Sequence, residues 1–178
     1  HTLAMEGLYA FFLESALLGI LLFGENRISR KAHWVVSGLL FVGTWLSAYF
    51  ILATVAWMQH PVGYEVAVDG DIQLASFSAL LFNPWLGWMY LHNQLGSLLT
   101  GSLVMAGVGA AYLLLDRHHD VARLSLRAGV VAGFIAAVAL LFPTGDMQGQ
   151  NVARHQPVTL AAMEGHFETT TGAPIAIL

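Results

Sequence analysis

The chain has 178 residues, of which 57% are hydrophobic and only 10% are charged, with a formal net charge of −4. Soluble domains carry about 25% charged residues, so this composition excludes an ordinary soluble protein and indicates an integral membrane protein. The small negative net charge offers no basic surface for nucleic acid. The absence of cysteine excludes disulfides and thiolate-bound metals.

Four apolar runs are long enough to cross a bilayer as helices, which takes about 20 residues each. They are Thr2–Gly24, Trp34–Met58, Pro84–Leu115 and Val121–Phe142. Asn83 suits an N-cap and Pro84 suits the first position of the third helix. The predicted fold is therefore all-α, an integral membrane helix bundle of about four transmembrane helices, with the four-helix region covering residues 1–142.

The basic residues orient these spans. Six of the seven lie on one side if the spans alternate: Arg27, Arg30, Lys31, Arg117, Arg123 and Arg127. The positive-inside rule places that side in the cytoplasm. The N-terminus, the loop Gln59–Ala79 and the residues after Phe142 are then predicted to face outward. Trp57, Trp85, Trp88 and Tyr90 fall near the outer boundary, where they are predicted to form an aromatic belt.

Two acids interrupt the first apolar run. Glu6 lies near its outer end and Glu14 lies eight residues deeper, about 12 Å at 1.5 Å per residue, and α-helical steps would place both on one broad face. Because a carboxylate in hydrocarbon is costly and burial favours its neutral form, the pair is predicted to carry protons. Ser47 in the second run would add a hydroxyl at an inner level. The alternative is that both acids pair with polar groups on other helices and lock the bundle.

His92 lies about eight residues into the third run, at the predicted depth of Glu6. Neutral imidazole is the commonest metal ligand. Gly96, Gly101 and Gly107 favour close packing of this helix against protein or a flat cofactor. These residues predict a metal or haem site near the outer face. The alternative is that His92 only forms a hydrogen bond with a neighbouring helix.

Residues 143–178 differ in composition from the apolar runs. They are rich in Gly, Pro, Gln and Thr and contain no spanning run, although Val158–Phe167 is predicted to form a short helix. Gln156 and Glu164 lie eight residues apart around an apolar turn, an arrangement that could hold a quinol headgroup at the membrane edge. The chain begins without Met and ends on the apolar segment Ile175–Leu178, which predicts a piece of a longer polypeptide.

Six segments carry a more specific signal. They are MEGLYAFFLES, the Gly24-x-x-Arg27 corner, WMQHPVG (Trp57–Gly63), NPWLGWMYLHNQLGS (Asn83–Ser97), Gly145-Asp146 and QPVTLAAMEG (Gln156–Gly165). In this order and at this spacing they resemble subunit I of cytochrome bd-type quinol oxidase. The resemblance covers essentially the whole chain. It implies an internal piece, comprising the third to sixth helices of a longer bundle and, in residues 143–178, the start of an extracytoplasmic quinol-binding loop.

The resemblance implies a quinol:oxygen oxidoreductase of the bacterial or archaeal cytoplasmic membrane, which reduces dioxygen to water with proton uptake from the cytoplasm. In the full complex it implies a low-spin haem b, a high-spin haem b and a haem d. The implied partners are a second oxidase subunit (subunit II), a small accessory subunit and membrane lipid. The remaining haem ligands, among them the Met that completes the low-spin site, would lie outside these residues, so this piece alone is expected to be inactive.

Several residues match functional positions of the family. His92 matches the axial ligand of the low-spin haem iron, and Glu6 matches the acid beside the high-spin haem and haem d. Glu14 and Ser47 match positions of the proton path.

Gln156 and Glu164 match quinol-loop positions of the family. Thr159 departs from the pattern, because the family usually has Lys there, and this predicts an altered donor site or a diverged copy. The alternative function is therefore a diverged or truncated, non-catalytic membrane b-haem protein or assembly partner.

Overall fold

The computed structural model describes residues 2–172, without the side chains of residues 9–11. The apolar segment Ile175–Leu178 lies outside the described residues. The chain divides into two compact units, His1–Tyr90 and Leu91–Leu178, and the division falls within one long helix.

The first unit opens with a helical run in three segments. These are α1 (Thr2–Glu6), a π-helical segment π1 (Gly7–Glu14) and α2 (Ser15–Phe23). A π-helix closes i→i+5 hydrogen bonds and so turns less per residue than an α-helix. The shared face of Glu6 and Glu14 was predicted from α-helical steps, and that derivation does not apply to this interval.

The helix α3 (Arg30–Gln59) runs antiparallel to this first helical run. The hydroxyl groups of Thr2 and Thr54 form a hydrogen bond of 2.7 Å at one end of the pair. At the other end, His33 bonds through Nε2 to the carbonyl oxygen of Leu21, at 2.9 Å. The Thr2–Thr54 bond joins the far ends of the two helical elements, and the His33–Leu21 bond joins their ends next to the connecting turn. The two elements therefore form a helical hairpin.

A small antiparallel sheet, which the sequence analysis did not predict, follows α3. Strand β1 (Tyr64–Val66) pairs with β2 (Ile72–Leu74), and all six residues are exposed. Gly70 lies in the connecting turn with φ of +89°, a conformation that glycine adopts without steric cost. The short helix α4 (Phe77–Leu81) comes next.

The long helix α5 (Leu86–Leu114) begins after a capping residue. Asn83 Oδ1 accepts a hydrogen bond from the backbone N–H of Trp85 at 2.9 Å, and its Nδ2 donates to the carbonyl oxygen of His60 at 2.8 Å. Asn83 therefore caps the first turn as predicted. Trp85 is only 1% exposed, so it packs inside the protein, and its assignment to a lipid-facing aromatic belt is wrong.

In the second unit, α6 (His119–Ala139) packs closely on the part of α5 that belongs to this unit. A Cβ atom added at Gly129 would lie 2.5 Å from the carbonyl oxygen of Ser102 and 2.7 Å from the backbone nitrogen of Ala106. Only glycine fits at this crossing, because any side chain would push the two backbones apart.

The chain continues from α6 through a kink. The segment π2 (Leu140–Gly145) leads into α7 (Asp146–His155) and α8 (Pro157–Glu164). Phe142 has φ −134° and ψ 127°, which fits a residue before proline, where the α region is disfavoured. Helix α8 covers much of the short helix predicted in Val158–Phe167, whereas α7 was not predicted.

Three helices among the described residues are long and apolar enough to cross a membrane: Arg30–Gln59, Phe77–Leu114 and His119–His155. They correspond to the second, third and fourth predicted spans, and they confirm a mainly helical chain with membrane-spanning segments. By the same measure the first run provides only a shorter apolar helix, Phe12–Phe23. A count of four spans therefore stays a prediction.

Candidate functional site

The best-defined polar site surrounds His92, which is half-buried on α5. Its Nδ1 lies 3.4 Å from the hydroxyl oxygen of Thr144, a residue only 3% exposed. A Cβ atom on Gly145 would lie 3.6 Å from Cε1 of the imidazole. The π2 segment thus contacts the ring with the hydroxyl group of Thr144, and Gly145 lies next to the ring.

His92 also lines an open groove of about 590 Å³. The other lining residues are Asn93, Gly96, Ser97, Thr100 and Leu140. Gly96 and Thr100 lie one and two helical turns after His92, so small side chains flank the imidazole along one face of α5. Small residues on a membrane helix allow a partner to approach closely. Here they form one side of the groove, next to the imidazole of His92.

This donor set fits a metal carried by a flat cofactor better than a bare metal ion. Within residues 2–172, no group of three or more His, Asp or Glu side chains converges to hold an ion. Haem iron needs only one or two axial protein ligands, and His is a common one. An imidazole beside a wall of small residues matches that requirement.

The acids of the first unit have a different environment. Glu14 closes π1, and its Oε1 is buried without a hydrogen-bond partner within the described part of the chain. Its Cγ lies 3.9 Å from the position that a Cβ on Gly43 would occupy. Ser47, only 8% exposed, follows Gly43 by one turn and therefore lies on the same face of α3. The structure thus brings Glu14 to the surface of α3 that carries Ser47.

Glu6 ends α1 and immediately precedes π1. It is half-buried, and across residues 2–172 its carboxylate forms no hydrogen bond or ion pair. Glu6 and Glu14 therefore bracket the π-helical segment, a type of element that occurs frequently at functional sites.

The segment around α8 forms a second cavity, of about 530 Å³. It combines apolar side chains with polar ones, among them Leu160, Phe167, Glu164 and His166. Glu164, predicted to contact quinol, lines this cavity. Gln156 does not line it.

The side chain of Gln156 instead lies next to Thr159. The Thr159 hydroxyl donates to Oε1 of Gln156 at 3.4 Å. The residue that replaces the usual Lys of the resemblance is therefore an exposed hydroxyl that contacts one of the two predicted quinol residues.

The sequence indicates His92 as a candidate ligand, but it does not indicate the residues of π2 that contact the imidazole. Thr144 follows the proline kink, outside any helical periodicity that would have related it to His92. Gly145 was noted only as part of the Gly145-Asp146 pair. The kink brings both residues to the imidazole, and no pattern in the sequence announces that contact.

Known proteins resemble this chain over nearly its whole length. The family model for cytochrome bd terminal oxidase subunit I matches residues 1–178. The cytochrome bd-II ubiquinol oxidase subunit 1 of Escherichia coli (strain K12) is 40% identical over 168 residues, which is 94% of this chain and 32% of that relative. The cytochrome bd ubiquinol oxidase subunit 1 of Bacillus subtilis (strain 168) is 34% identical over 174 residues, which is 98% of this chain and 36% of that relative.

A solved structure also resembles this chain. The bd oxidase from Geobacillus thermodenitrificans matches with a TM-score of 0.80 at 33% identity, covering 98% of this chain and 40% of that one. The chain therefore spans about a third of the length of the curated relatives it matches. The predicted resemblance is confirmed, and these relatives are subunits of cytochrome bd oxidases.

Proposed function

Because this chain belongs to the cytochrome bd terminal oxidase subunit I family, we propose that it forms part of the haem-bearing subunit of a membrane oxidase. The complete enzyme oxidises quinol and reduces dioxygen to water, taking protons from the cytoplasm. The proposal is supported by the membrane-spanning helices, by the bacterial relatives and by the environment of His92.

His92 would hold the iron of the low-spin haem b through its imidazole. The single observation that carries this assignment is the supported imidazole, which contacts Thr144 through Nδ1 and lines a groove of small residues. When bound, the haem iron accepts and passes single electrons. The chain itself holds the ring in place and leaves room beside it.

Glu14, Ser47 and Glu6 move protons. The unpartnered oxygen of Glu14 beside the small-residue face of α3 leaves this carboxyl able to accept a proton and release it to a hydroxyl or water. Ser47 is a hydroxyl relay on that face. Glu6 serves the pocket of the high-spin haem b and the haem d. Proton transfer by positioned groups contributes about 10²–10⁴-fold to reaction rates.

Gln156 and Glu164 bind quinol at the start of an extracytoplasmic loop that comprises residues 143–178. The cavity of α8 supports this role, since it places the Glu164 carboxylate among apolar side chains that suit an aromatic ring. Glu164 accepts the proton that leaves a quinol hydroxyl on oxidation. Thr159 changes the geometry of this donor site through its contact with Gln156.

The remaining parts of the proposal concern location and assembly. Residues 1–142 form four transmembrane helices of a bacterial or archaeal cytoplasmic membrane protein, and the first run (Thr2–Gly24) crosses the membrane in addition to the three long helices. Subunit II and a small accessory subunit complete the oxidase, and membrane lipid covers the exposed apolar side chains such as Trp34 and Phe134.

The test is the His92→Ala variant of the complete subunit in its assembled complex. We expect the low-spin haem b signal to disappear from the reduced-minus-oxidised spectrum, and quinol oxidation to be lost with it. His119→Ala is the matched control, because this exposed histidine pairs with Asp116 at the α5–α6 turn. An unchanged low-spin spectrum in His92→Ala, with the control also unchanged, would refute the ligand assignment.

A further inference from the structure

The orientation of the His92 ring depends on Thr144. Thr144 belongs to π2 and is only 3% exposed. Its Oγ1 lies 3.4 Å from Nδ1 of His92, 2.9 Å from the carbonyl oxygen of Ala139 and 3.2 Å from that of Leu140. The hydroxyl group therefore has three polar neighbours and a single proton.

The chemistry of these neighbours decides where that proton goes. Carbonyl oxygens only accept hydrogen bonds, whereas a hydroxyl group has one proton to donate and two lone pairs that accept. The Thr144 proton is therefore directed to the carbonyl oxygens of Ala139 and Leu140. Its lone pair faces His92, so the hydrogen bond between them must be donated by Nδ1–H of the imidazole.

We propose that Thr144 is the positioning residue that fixes His92 as its Nδ1–H tautomer and so presents Nε2 as the metal-binding nitrogen. In neutral imidazole one nitrogen carries the proton and the other carries the lone pair, and the hydrogen bond of the first decides which nitrogen binds a metal. In residues 2–172, the contact with Thr144 is the only hydrogen bond of the His92 ring. Nε2 is therefore the ring nitrogen whose lone pair is left to bind a metal.

The kink at Phe142 makes this contact geometrically possible. The extended backbone of Phe142 interrupts the helix just before Pro143, and the chain resumes its helical course with Thr144 facing α5. Gly145 follows within van der Waals distance of the ring: a Cβ there would lie 3.6 Å from Cε1 of His92 but only 2.6 Å from the carbonyl oxygen of Leu140, so a side chain would force π2 to shift beside the ring. The proline break, the hydroxyl group and the glycine act together on one imidazole.

This inference rests on the proposed function, because it assumes that His92 binds haem iron. Thr144 acts through His92 and touches neither iron nor substrate. Hydrogen-bond partners of metal-bound histidines raise the basicity of the ligand, and their loss typically lowers metal affinity or activity about 10–100-fold. Removing the Thr144 hydroxyl should therefore weaken electron donation by His92 and make the low-spin haem easier to reduce.

The experiment compares Thr144→Val and Thr144→Ser in the complete, assembled oxidase. Valine keeps the shape but removes the acceptor, and serine restores the hydroxyl group. We expect Thr144→Val to shift the midpoint potential of the low-spin haem to a more positive value and to lower its occupancy about tenfold. Thr144→Ser should remain close to the wild type. Thr44→Val is the control, because its hydroxyl forms the same type of bond to a helix carbonyl, that of Leu40, without a histidine partner.

The outcomes separate the two proposals. A low-spin haem with wild-type potential and occupancy in Thr144→Val would overturn the role of Thr144. If His92→Ala still abolishes the signal, the proposed function survives that result. A low-spin signal that persists in His92→Ala would instead overturn the proposed ligand role of His92, on which this inference rests. If Thr144→Val does not assemble, Thr144→Ala removes the same hydroxyl group without a branched side chain, and its potential decides the question.

Discussion

His92 and Glu14 are both polar side chains on apolar helices, but the protein supports them differently. His92 contacts a hydroxyl group whose own proton is directed to backbone carbonyl oxygens, and it lies beside Gly145 in the same segment. Glu14 packs against the glycine face of α3, yet its buried Oε1 has no partner in the described part of the chain. The histidine is held in one geometry, whereas the acid is left with an unused acceptor.

This difference matches the two roles proposed here. An axial ligand works best when its orientation is fixed before the metal binds, because neighbouring hydrogen bonds set its tautomer and basicity. A proton carrier must exchange partners, and a carboxyl group locked by permanent hydrogen bonds would not do so. Most buried polar atoms in native structures have a hydrogen-bond partner, and Oε1 of Glu14, next to the face of α3 that carries Ser47, is one of the exceptions among the described residues.

The strongest test of the fixed geometry is Gly145→Ala. The added Cβ would lie 2.6 Å from the carbonyl oxygen of Leu140 and 3.6 Å from Cε1 of His92, so the backbone of π2 must shift. Overpacking of this kind costs about 1–3 kcal/mol. We expect low-spin haem occupancy to fall at least about tenfold, measured by the haem-to-protein ratio of the purified oxidase. Gly149→Ala is the control, since no atom lies within 4 Å of its added Cβ, and equal occupancy in both variants would contradict a role of Gly145 in the site.

Glu14→Gln tests whether the carboxyl group of Glu14 carries protons. The amide keeps the shape of the carboxyl group but cannot carry a proton, so oxygen reduction should slow at least about tenfold while all haem signals persist. Glu25→Gln, at an exposed corner residue, should leave turnover unchanged. Wild-type oxygen consumption in Glu14→Gln would show that this acid is not on the proton path.

The sequence predicted the positions of the long helices well because their signal is simple. Apolar length determines a spanning helix, and the predicted run Trp34–Met58 lies within α3 (Arg30–Gln59). Local chemistry also predicted the Asn83 cap, since a side-chain oxygen before Pro at the first turn satisfies a free N–H group. These features depend on residues close together in the chain.

Features that depend on distant contacts were not predictable in the same way. The π-helical winding between Glu6 and Glu14 leaves no periodic trace, and the exposed three-residue strands of the hairpin carry too few residues for a pattern. Trp85 was misassigned because a tryptophan at the end of an apolar run suggests an interface, whereas this side chain is packed inside the protein. Thr144 was missed because its relation to His92 arises from a kink.

Gly43→Ala examines whether the small-residue face of α3 matters to Glu14. The added methyl group would lie 3.2 Å from Cδ2 of Leu13 and 3.9 Å from Cγ of Glu14. The end of the leucine side chain can move, so the protein should fold and retain its haems. Oxygen reduction should slow less than in Glu14→Gln. Gly38→Ala is the control on the same helix, because no atom lies within 4 Å of its added Cβ. If Gly43→Ala and Gly38→Ala turn over at the same rate, the small-residue face of α3 does not contribute to proton transfer by Glu14.

The smallest effect is expected from Thr54→Val, which removes one hydrogen bond between the first helical run and α3. The hydroxyl groups of Thr2 and Thr54 are 2.7 Å apart and partly buried, and a hydrogen bond of this kind contributes about 0.5–1.5 kcal/mol. We expect a small drop in the thermal stability of the detergent-solubilised oxidase with unchanged haem spectra, and a smaller drop in Thr44→Val, whose hydroxyl group bonds only within its own helix. A loss of low-spin haem in Thr54→Val would contradict the contrast between His92 and Glu14. It would mean that the His92 site depends on a hydrogen bond made entirely within the first unit.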